Sequence, residues 1–175
     1  IKNDALINIM GTINVIKFSL KYDVKKIVFA SSAAVYGNSI VTPISVSDPT
    51  HPLSPYGLSK KTAEDYLKLA KDLYDLDYVN LRYSNVYGPR QTTSGEGGVI
   101  SIFTNQVINN EEPVIYGDGF QTRDFIYVED VASANLKALR YDGSGTFNIS
   151  STTSTSINQL FSIIQSFGTR DLSPI

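Results

Sequence analysis

Tyr56 and Lys60 stand four residues apart in a stretch that opens with Ser54-Pro55 and reads as the start of a helix. Four residues is slightly more than one helical turn, so both side chains fall on one face. A free tyrosine gives up its proton at a pKa of about 10, and a neighbouring ammonium favours the phenolate. Such a phenolate can take a proton from an alcohol. Upstream, the apolar run Ile27-Val28-Phe29-Ala30 reads as a buried parallel strand that runs out into Ser31-Ser32-Ala33-Ala34-Val35-Tyr36-Gly37. A serine at the end of that strand supplies the third part of a proton-abstracting site.

A Tyr-x-x-x-Lys pair alone arises by chance in many helices, and Tyr66 and Lys71 further along show how common these residues are here. The pair gains meaning from its company. In order, the chain carries Asn8-x-x-Gly11-Thr12-x-Asn14, the Ser31-to-Gly37 block, Ser54-Pro55-Tyr56-x-x-x-Lys60 and Leu81-Arg82-Tyr83-Ser84-Asn85-Val86-Tyr87-Gly88-Pro89-Arg90. A fifth block, Tyr116-Gly117-Asp118-Gly119-x-x-x-Arg123-Asp124-Phe125-Ile126-Tyr127-Val128, follows. With these blocks the chain resembles the extended short-chain dehydrogenase/reductases, in particular the nucleotide-sugar 4-epimerases of the UDP-glucose 4-epimerase type. The resemblance runs from about Asn8 to about Leu160.

That resemblance implies an α/β fold: the C-terminal part of a Rossmann-like parallel sheet plus most of a small substrate-binding domain. Residues 1–90 correspond to the second half of an NAD-binding domain. Residues 91–175 correspond mainly to the substrate-binding region, interleaved with the last Rossmann elements and incomplete at the C-terminus. The implied catalytic residues are Ser32, Tyr56 as base, and Lys60, which also holds the nicotinamide ribose. Asn8, Ala30, Ser31, Tyr83 and Val86 join Tyr56 and Lys60 around NAD. Ser32, Asn85, Val99, Tyr116 and Arg123 face the nucleotide sugar, with Arg123 clamping the diphosphate through its paired donors. An internal ion pair of Arg123 with Asp124 or Asp130 is the structural alternative, and a backbone cap is that for Ser32. Arg90 stays undecided between a structural and a substrate-facing role.

The implied reaction is reversible oxidation at the sugar's C4, with hydride lent to NAD while Tyr56 accepts the hydroxyl proton, and return of the hydride to the other face. Related 4,6-dehydratases place an Asp-Glu pair after the catalytic hydroxyl. Here those positions are Ala33 and Ala34, which transfer no proton, so dehydration is disfavoured. UDP-glucose/UDP-galactose is the first expectation. Another sugar nucleotide, a reductase or decarboxylase of the same family, and a non-catalytic sugar-nucleotide-binding module remain as alternatives. A homodimer built through the Tyr56 helix is also implied.

The elements that position these residues follow from periodicity. Residues 1–22 read as a helix with Leu6, Ile7, Ile9, Met10, Ile13, Ile16, Phe18 and Leu20 on a buried face, and with Gly11 tolerated through a close contact. Lys25–Ala30 is strand. Residues 38–55 form a long proline-containing connection that must carry Tyr56 back over the strand end. Tyr56–Leu76 is a helix with Leu58, Ala63, Tyr66, Leu67, Ala70, Leu73 and Tyr74 inward, and Tyr78–Tyr83 the next strand. Gln91–Gly98 is a glycine-rich loop without the ending of a phosphate loop. A helix over Val99–Ile108 buries Ile102, Phe103 and Val107. Strands follow at Pro113–Tyr116, Phe125–Val128 and Thr146–Ile149, with a helix over Val131–Leu139 between the last two. Residues 150–156 are a polar loop, and a helix over Ile157–Phe167 turns Ile157, Leu160, Phe161 and Ile164 inward.

Composition bounds the rest. At 175 residues and 42% hydrophobic content the chain is long enough for an ordinary core. Fifteen basic against 17 acidic residues argue against a nucleic-acid platform. Without cysteine, and with His51 the single histidine, neither a disulfide framework nor a Cys/His metal site can be built. No apolar run approaches the roughly 20 residues of a membrane span; a cytoplasmic protein is expected. The Gly-x-x-Gly-x-x-Gly dinucleotide fingerprint and its acidic partner are absent from the sequence. The expectation is therefore a fragment that folds poorly and is inactive by itself.

Overall fold

The computed structural model describes residues 1–39, 42–93 and 98–174. In chain order the elements are α1 (Lys2–Asp4), a π-helical stretch (Ala5–Met10), α2 (Gly11–Lys21), β1 (Lys26–Ser32), a 3-10 turn (Ala33–Val35), α3 (Pro55–Tyr74), β2 (Asp77–Tyr83) and β3 (Asn85–Tyr87). Then come α4 (Val99–Asn109), β4 (Thr122–Arg123), β5 (Phe125–Tyr127), α5 (Val128–Arg140), β6 (Gly145–Ile149), β7 (Thr155–Ser156) and α6 (Ile157–Gln165). They form two compact units, residues 1–84 with 132–149 and residues 85–131 with 150–175. Residues 40–41 of the long connection and 94–97 of the Gln91–Gly98 loop lie outside the described residues.

The first unit is built on a parallel sheet in the order β1-β2-β6. Alternate side chains leave a strand on opposite faces, and both faces here are covered. Ile27, Phe29 and Tyr78 pack with Ile16 of α2 and Leu67 and Ala70 of α3. Val28, Val79, Leu81, Tyr83 and Ile149 pack with Ala138 of α5. Burial on both sides is why β1 reads as a continuous apolar run over Ile27–Ala30.

The helix α3 starts where its sequence directs. Ser54 accepts a hydrogen bond from the Gly57 N–H at 3.0 Å, and Pro55, which has no N–H to leave unpaired, occupies the first turn. It ends at Asp75 in the left-handed conformation, so the helix stops at Tyr74 and Leu76 is buried in the connection beyond it.

The face turned to the sheet differs from the expected one. Ala63, Leu67 and Ala70 are buried, but Leu58, Tyr66, Leu73 and Tyr74 are exposed, and Gly57, Ser59 and Glu64 take the inward positions. The first helix behaves alike: Thr12, Ile16 and Ser19 are buried, whereas Leu6, Ile7, Met10, Phe18 and Leu20 are exposed. Small or hydrogen-bonded side chains let these helices approach closely, so the bulky apolar residues lie on other faces. A Cβ on Gly11 would meet nothing within 4 Å, so no close contact accounts for this glycine.

The second unit has its own core of Phe103, Val107, Ile157, Leu160, Phe161 and Leu172, with Phe103 and Phe161 edge to face at 5.8 Å. β3 pairs with β5 in parallel, and β4 with β7 in antiparallel fashion. The latter pair uses Thr155–Ser156 from what reads in sequence as a polar loop. Pro113–Tyr116 forms no strand, and Ile102 is exposed rather than buried. Val128 belongs to α5 instead of the preceding strand, which puts Glu129 and Asp130 in the helix's first turn, where their charge suits the helix dipole. α6 is held at its start by a capping box between Ser156 and Gln159. Among the described residues no helix is long and apolar enough to cross a membrane.

Candidate active site

Tyr56 and Lys60 face each other on α3. The Lys60 ammonium lies 5.7 Å from the centre of the Tyr56 ring and 5.0 Å from that of Phe29, and its Nζ donates to the Ala30 carbonyl at 2.9 Å. That carbonyl comes from β1, so strand and helix fix the lysine jointly. Burial lowers its pKa from the ordinary lysine value. No carboxylate among the described residues neutralises it.

Ser32 ends β1 and caps the 3-10 turn, its Oγ accepting the Ala34 N–H at 3.1 Å. The cap uses the oxygen as acceptor and leaves the hydroxyl proton free to donate. The same turn abuts the start of α3: a Cβ on Gly57 would stand 2.5 Å from the Ala34 carbonyl oxygen. On the other side of α3's first turn, Asn8 donates to Ser59 Oγ at 2.9 Å and Ser59 Oγ donates to the Tyr56 carbonyl at 2.8 Å. Asn8 lies in the π-helical stretch, whose wider turn is a recurrent feature of functional sites.

Beneath these residues is a buried ionic network that sequence reasoning missed. Arg82 of β2 grips Glu64 of α3 through a fork, Nε to Oε1 at 2.9 Å and Nη2 to Oε2 at 2.7 Å. Ser31 Oγ donates to the same Oε1 at 2.5 Å. Arg82 Nη1 donates to the Tyr36 hydroxyl at 2.8 Å, and that hydroxyl donates to Asn148 Oδ1 at 2.6 Å. Ser31, Arg82 and Asn148 are register neighbours on β1, β2 and β6, so they form one polar row across the sheet. Burial disfavours the charge on Arg82, but the hydrogen bonds with Glu64 and Tyr36 outweigh it and raise its pKa. The available signal was an arginine inside the apolar strand Tyr78–Tyr83 and a glutamate four residues after Lys60 on the same helical stripe.

Other expected residues take mixed positions. Ser31's hydroxyl is committed to Glu64, which leaves its main chain for any ligand. Tyr83's hydroxyl exchanges hydrogen bonds with Asn135 of α5, and burial raises its pKa.

Within the second unit, Asn85, Val86 and Val99 line one cavity of about 220 Å³ together with Tyr87, Gln91 and Phe125. Asn85 is anchored there by its N–H and side-chain amide, both donating to the Asp124 carbonyl at 3.0 and 2.9 Å. Gln91, absent from the sequence-derived set, donates to the Val86 carbonyl at 3.2 Å. Tyr116 and Arg123 are not among the lining residues. Tyr116 is 84% exposed, and Arg123 is exposed on β4 with Nη1 donating to the Thr122 carbonyl at 2.9 Å.

The lysine geometry suits a dinucleotide ribose. Nζ keeps two of its three protons after bonding Ala30, and a half-buried cation with spare donors fits a pair of hydroxyl oxygens. Asn8, Lys60 and the main chain of Ala30 and Ser31 are the groups that would hold NAD in this unit.

Comparison with known proteins gives a consistent picture. Residues 2–150 match the model of the NAD dependent epimerase/dehydratase family. A protein of Methanocaldococcus jannaschii, provisionally named a UDP-glucose 4-epimerase, is 53% identical over 163 residues, which is 93% of this chain and 53% of that protein. The crystal structure of UDP-glucose 4-epimerase from Thermotoga maritima with UDP-glucose superposes with a TM-score of 0.97 at 42% identity, covering 99% of this chain and 57% of that one. A UDP-N-acetylglucosamine 4-epimerase from Methanobrevibacter ruminantium, in complex with UDP-N-acetylmuramic acid, gives 0.93 at 40%, covering 98% and 56%. The chain thus spans about half the length of these relatives.

Proposed function

Because the chain belongs to the NAD dependent epimerase/dehydratase family, we propose that the protein containing it interconverts nucleotide-diphosphate sugars epimeric at C4, UDP-glucose and UDP-galactose first among them. The observation that carries this reading is the Lys60 ammonium, held by the Ala30 carbonyl and set 5.7 Å from the Tyr56 ring.

In this reading Tyr56 takes the proton of the sugar's C4 hydroxyl as that carbon is oxidised and gives it back when it is reduced. Lys60 stabilises the negative charge that the phenolate oxygen carries before it takes that proton and again once it has given it back, since opposite charges attract. Ser32 donates its free hydroxyl proton to the reacting oxygen while its own oxygen remains fixed by the Ala34 N–H. Bound NAD supplies the acceptor and donor of hydride and is unchanged over the cycle. Ala33 and Ala34, where a dehydratase needs an acid and a base, carry no proton to transfer.

Asn85 and Val99 are assigned to the nucleotide sugar in the second unit, and Tyr116 and Arg123 to its base and diphosphate. The exposed stripe Leu58, Tyr66, Leu69 and Leu73 on α3 supports a homodimer through that helix.

The test is incubation of the full-length protein with UDP-galactose and measurement of UDP-glucose formed. Turnover is expected, and Tyr56→Phe is expected to lower kcat by about 10²–10⁴-fold, the usual worth of a general base. Equal turnover in Tyr56→Phe would falsify the role of the phenol. A second reading, an N-acetylated sugar, is favoured by the 40% identity to the N-acetylglucosamine enzyme, and UDP-N-acetylgalactosamine is the matching second substrate.

A further inference from the structure

We propose that the buried Glu64–Arg82 pair is a positioning device for the reaction, aligning Ser32 with Tyr56 through Ser31 and through the connection that delivers α3. It rests on the roles proposed above for Ser32 and Tyr56.

Glu64 and Arg82 are only 4% and 7% exposed, and a buried ion pair surrenders hydration that its own attraction repays poorly. Apolar side chains of similar volume would fill the space as well. What they would lack is direction, because hydrogen bonds fix angle and distance and packing alone does not.

The directions taken by this pair converge on the site. Glu64 Oε1 receives the hydroxyl of Ser31, the residue before Ser32. Arg82 Nη1 reaches the Tyr36 hydroxyl and, at 3.4 Å, the Val46 carbonyl. Its guanidinium also stacks 4.8 Å from the centre of the Tyr36 ring. Asn148, which accepts from Tyr36, donates in turn to the Ile44 carbonyl at 2.9 Å. Ile44 and Val46 lie on the connection that leads into Tyr56. Glu64 itself is eight residues after Tyr56, on the same stripe of α3 as Lys60. The pair therefore holds the strand end, the connection and the helix, the three segments on which Ser32, Tyr56 and Lys60 depend. It touches none of the reacting atoms.

The experiment compares full-length wild type, the double variant Glu64→Met/Arg82→Leu and Tyr36→Phe, measuring kcat, KM and melting temperature with a nucleotide sugar. The double variant removes both charges together, so neither is left buried and unpaired, and it is expected to melt no lower than wild type. Its kcat is expected to fall by about 100-fold, the cost of a small misplacement of reacting groups, with KM little changed. Tyr36→Phe keeps the ion pair and removes the hydroxyl that joins Arg82 Nη1 to Asn148; its kcat is expected to fall by about tenfold, a part of that cost.

Wild-type kcat in a folded double variant, or a loss confined to KM, overturns the proposal. If the double variant does not fold, Tyr36→Phe decides, and wild-type kcat there overturns it equally. A wild-type protein that binds NAD and turns over neither nucleotide sugar overturns the proposed function, and this proposal with it.

Discussion

Gly57 meets the carbonyl oxygen of Ala34 so closely that a Cβ at position 57 would lie 2.5 Å from it. The contact joins the residue after Tyr56 to the turn after Ser32. Both partners are main chain or fixed to it, so neither can swing aside. The missing side chain is what allows the strand end and the helix start to share one place.

Gly57→Ala should therefore separate the two. We expect a stability loss of about 1–3 kcal/mol from overpacking, and a fall in kcat of about 100-fold from the displaced helix start. Thermal melting and steady-state kinetics of the full-length protein measure each effect.

The alkaline limb of activity should begin below the ordinary lysine value of 10.5, because burial lowers the pKa of Lys60 and its charge is what supports the phenolate. The stability effect has the opposite sign. The unfolded chain binds the Lys60 proton more readily than the folded one, so this residue opposes folding below its folded pKa, and the penalty fades as pH rises toward 10.5. Lys60→Met should consequently melt no lower than wild type at neutral pH while losing turnover. Melting curves and pH–rate profiles of both proteins provide the check, and a clearly lower melting temperature for Lys60→Met would contradict the sign.

Val99→Trp should fill the cavity of about 220 Å³ that Val99 shares with Asn85, Gln91 and Phe125. The expected result is weaker nucleotide-sugar binding by about tenfold or more, equivalent to about 1.4 kcal/mol, with the NAD content of the purified protein unchanged. Titration calorimetry and the cofactor absorbance of the released dinucleotide distinguish this outcome from general misfolding.

Ser156→Ala should remove one half of the capping box at α6. A stability loss of about 1 kcal/mol is expected, with kcat unaffected because Ser156 is distant in role from Tyr56 and Lys60. Urea denaturation beside an activity assay tests both halves of that statement.

What the sequence by itself determined was local. The apolar run before Ser31 placed β1, Ser54-Pro55 placed the start of α3, and helical spacing set Tyr56 and Lys60 on one face, because a backbone repeat and a cap depend only on neighbours in the chain. The order of the blocks also indicated the family. What only the tertiary structure decided was which face of each helix meets the sheet and which polar residues meet each other. Periodicity gives the spacing of a stripe but not its partner, so Leu58 and Phe18 were read as inward although the sheet accepts Leu67, Ala70 and Ile16. Glu64 and Arg82 are 18 residues apart, Tyr36 and Asn148 are 112 apart, and no local rule links either pair. They are brought together by parallel strand register, which aligns Ser31, Arg82 and Asn148 in one row, and a buried charge must then find its counter-charge within that row's reach.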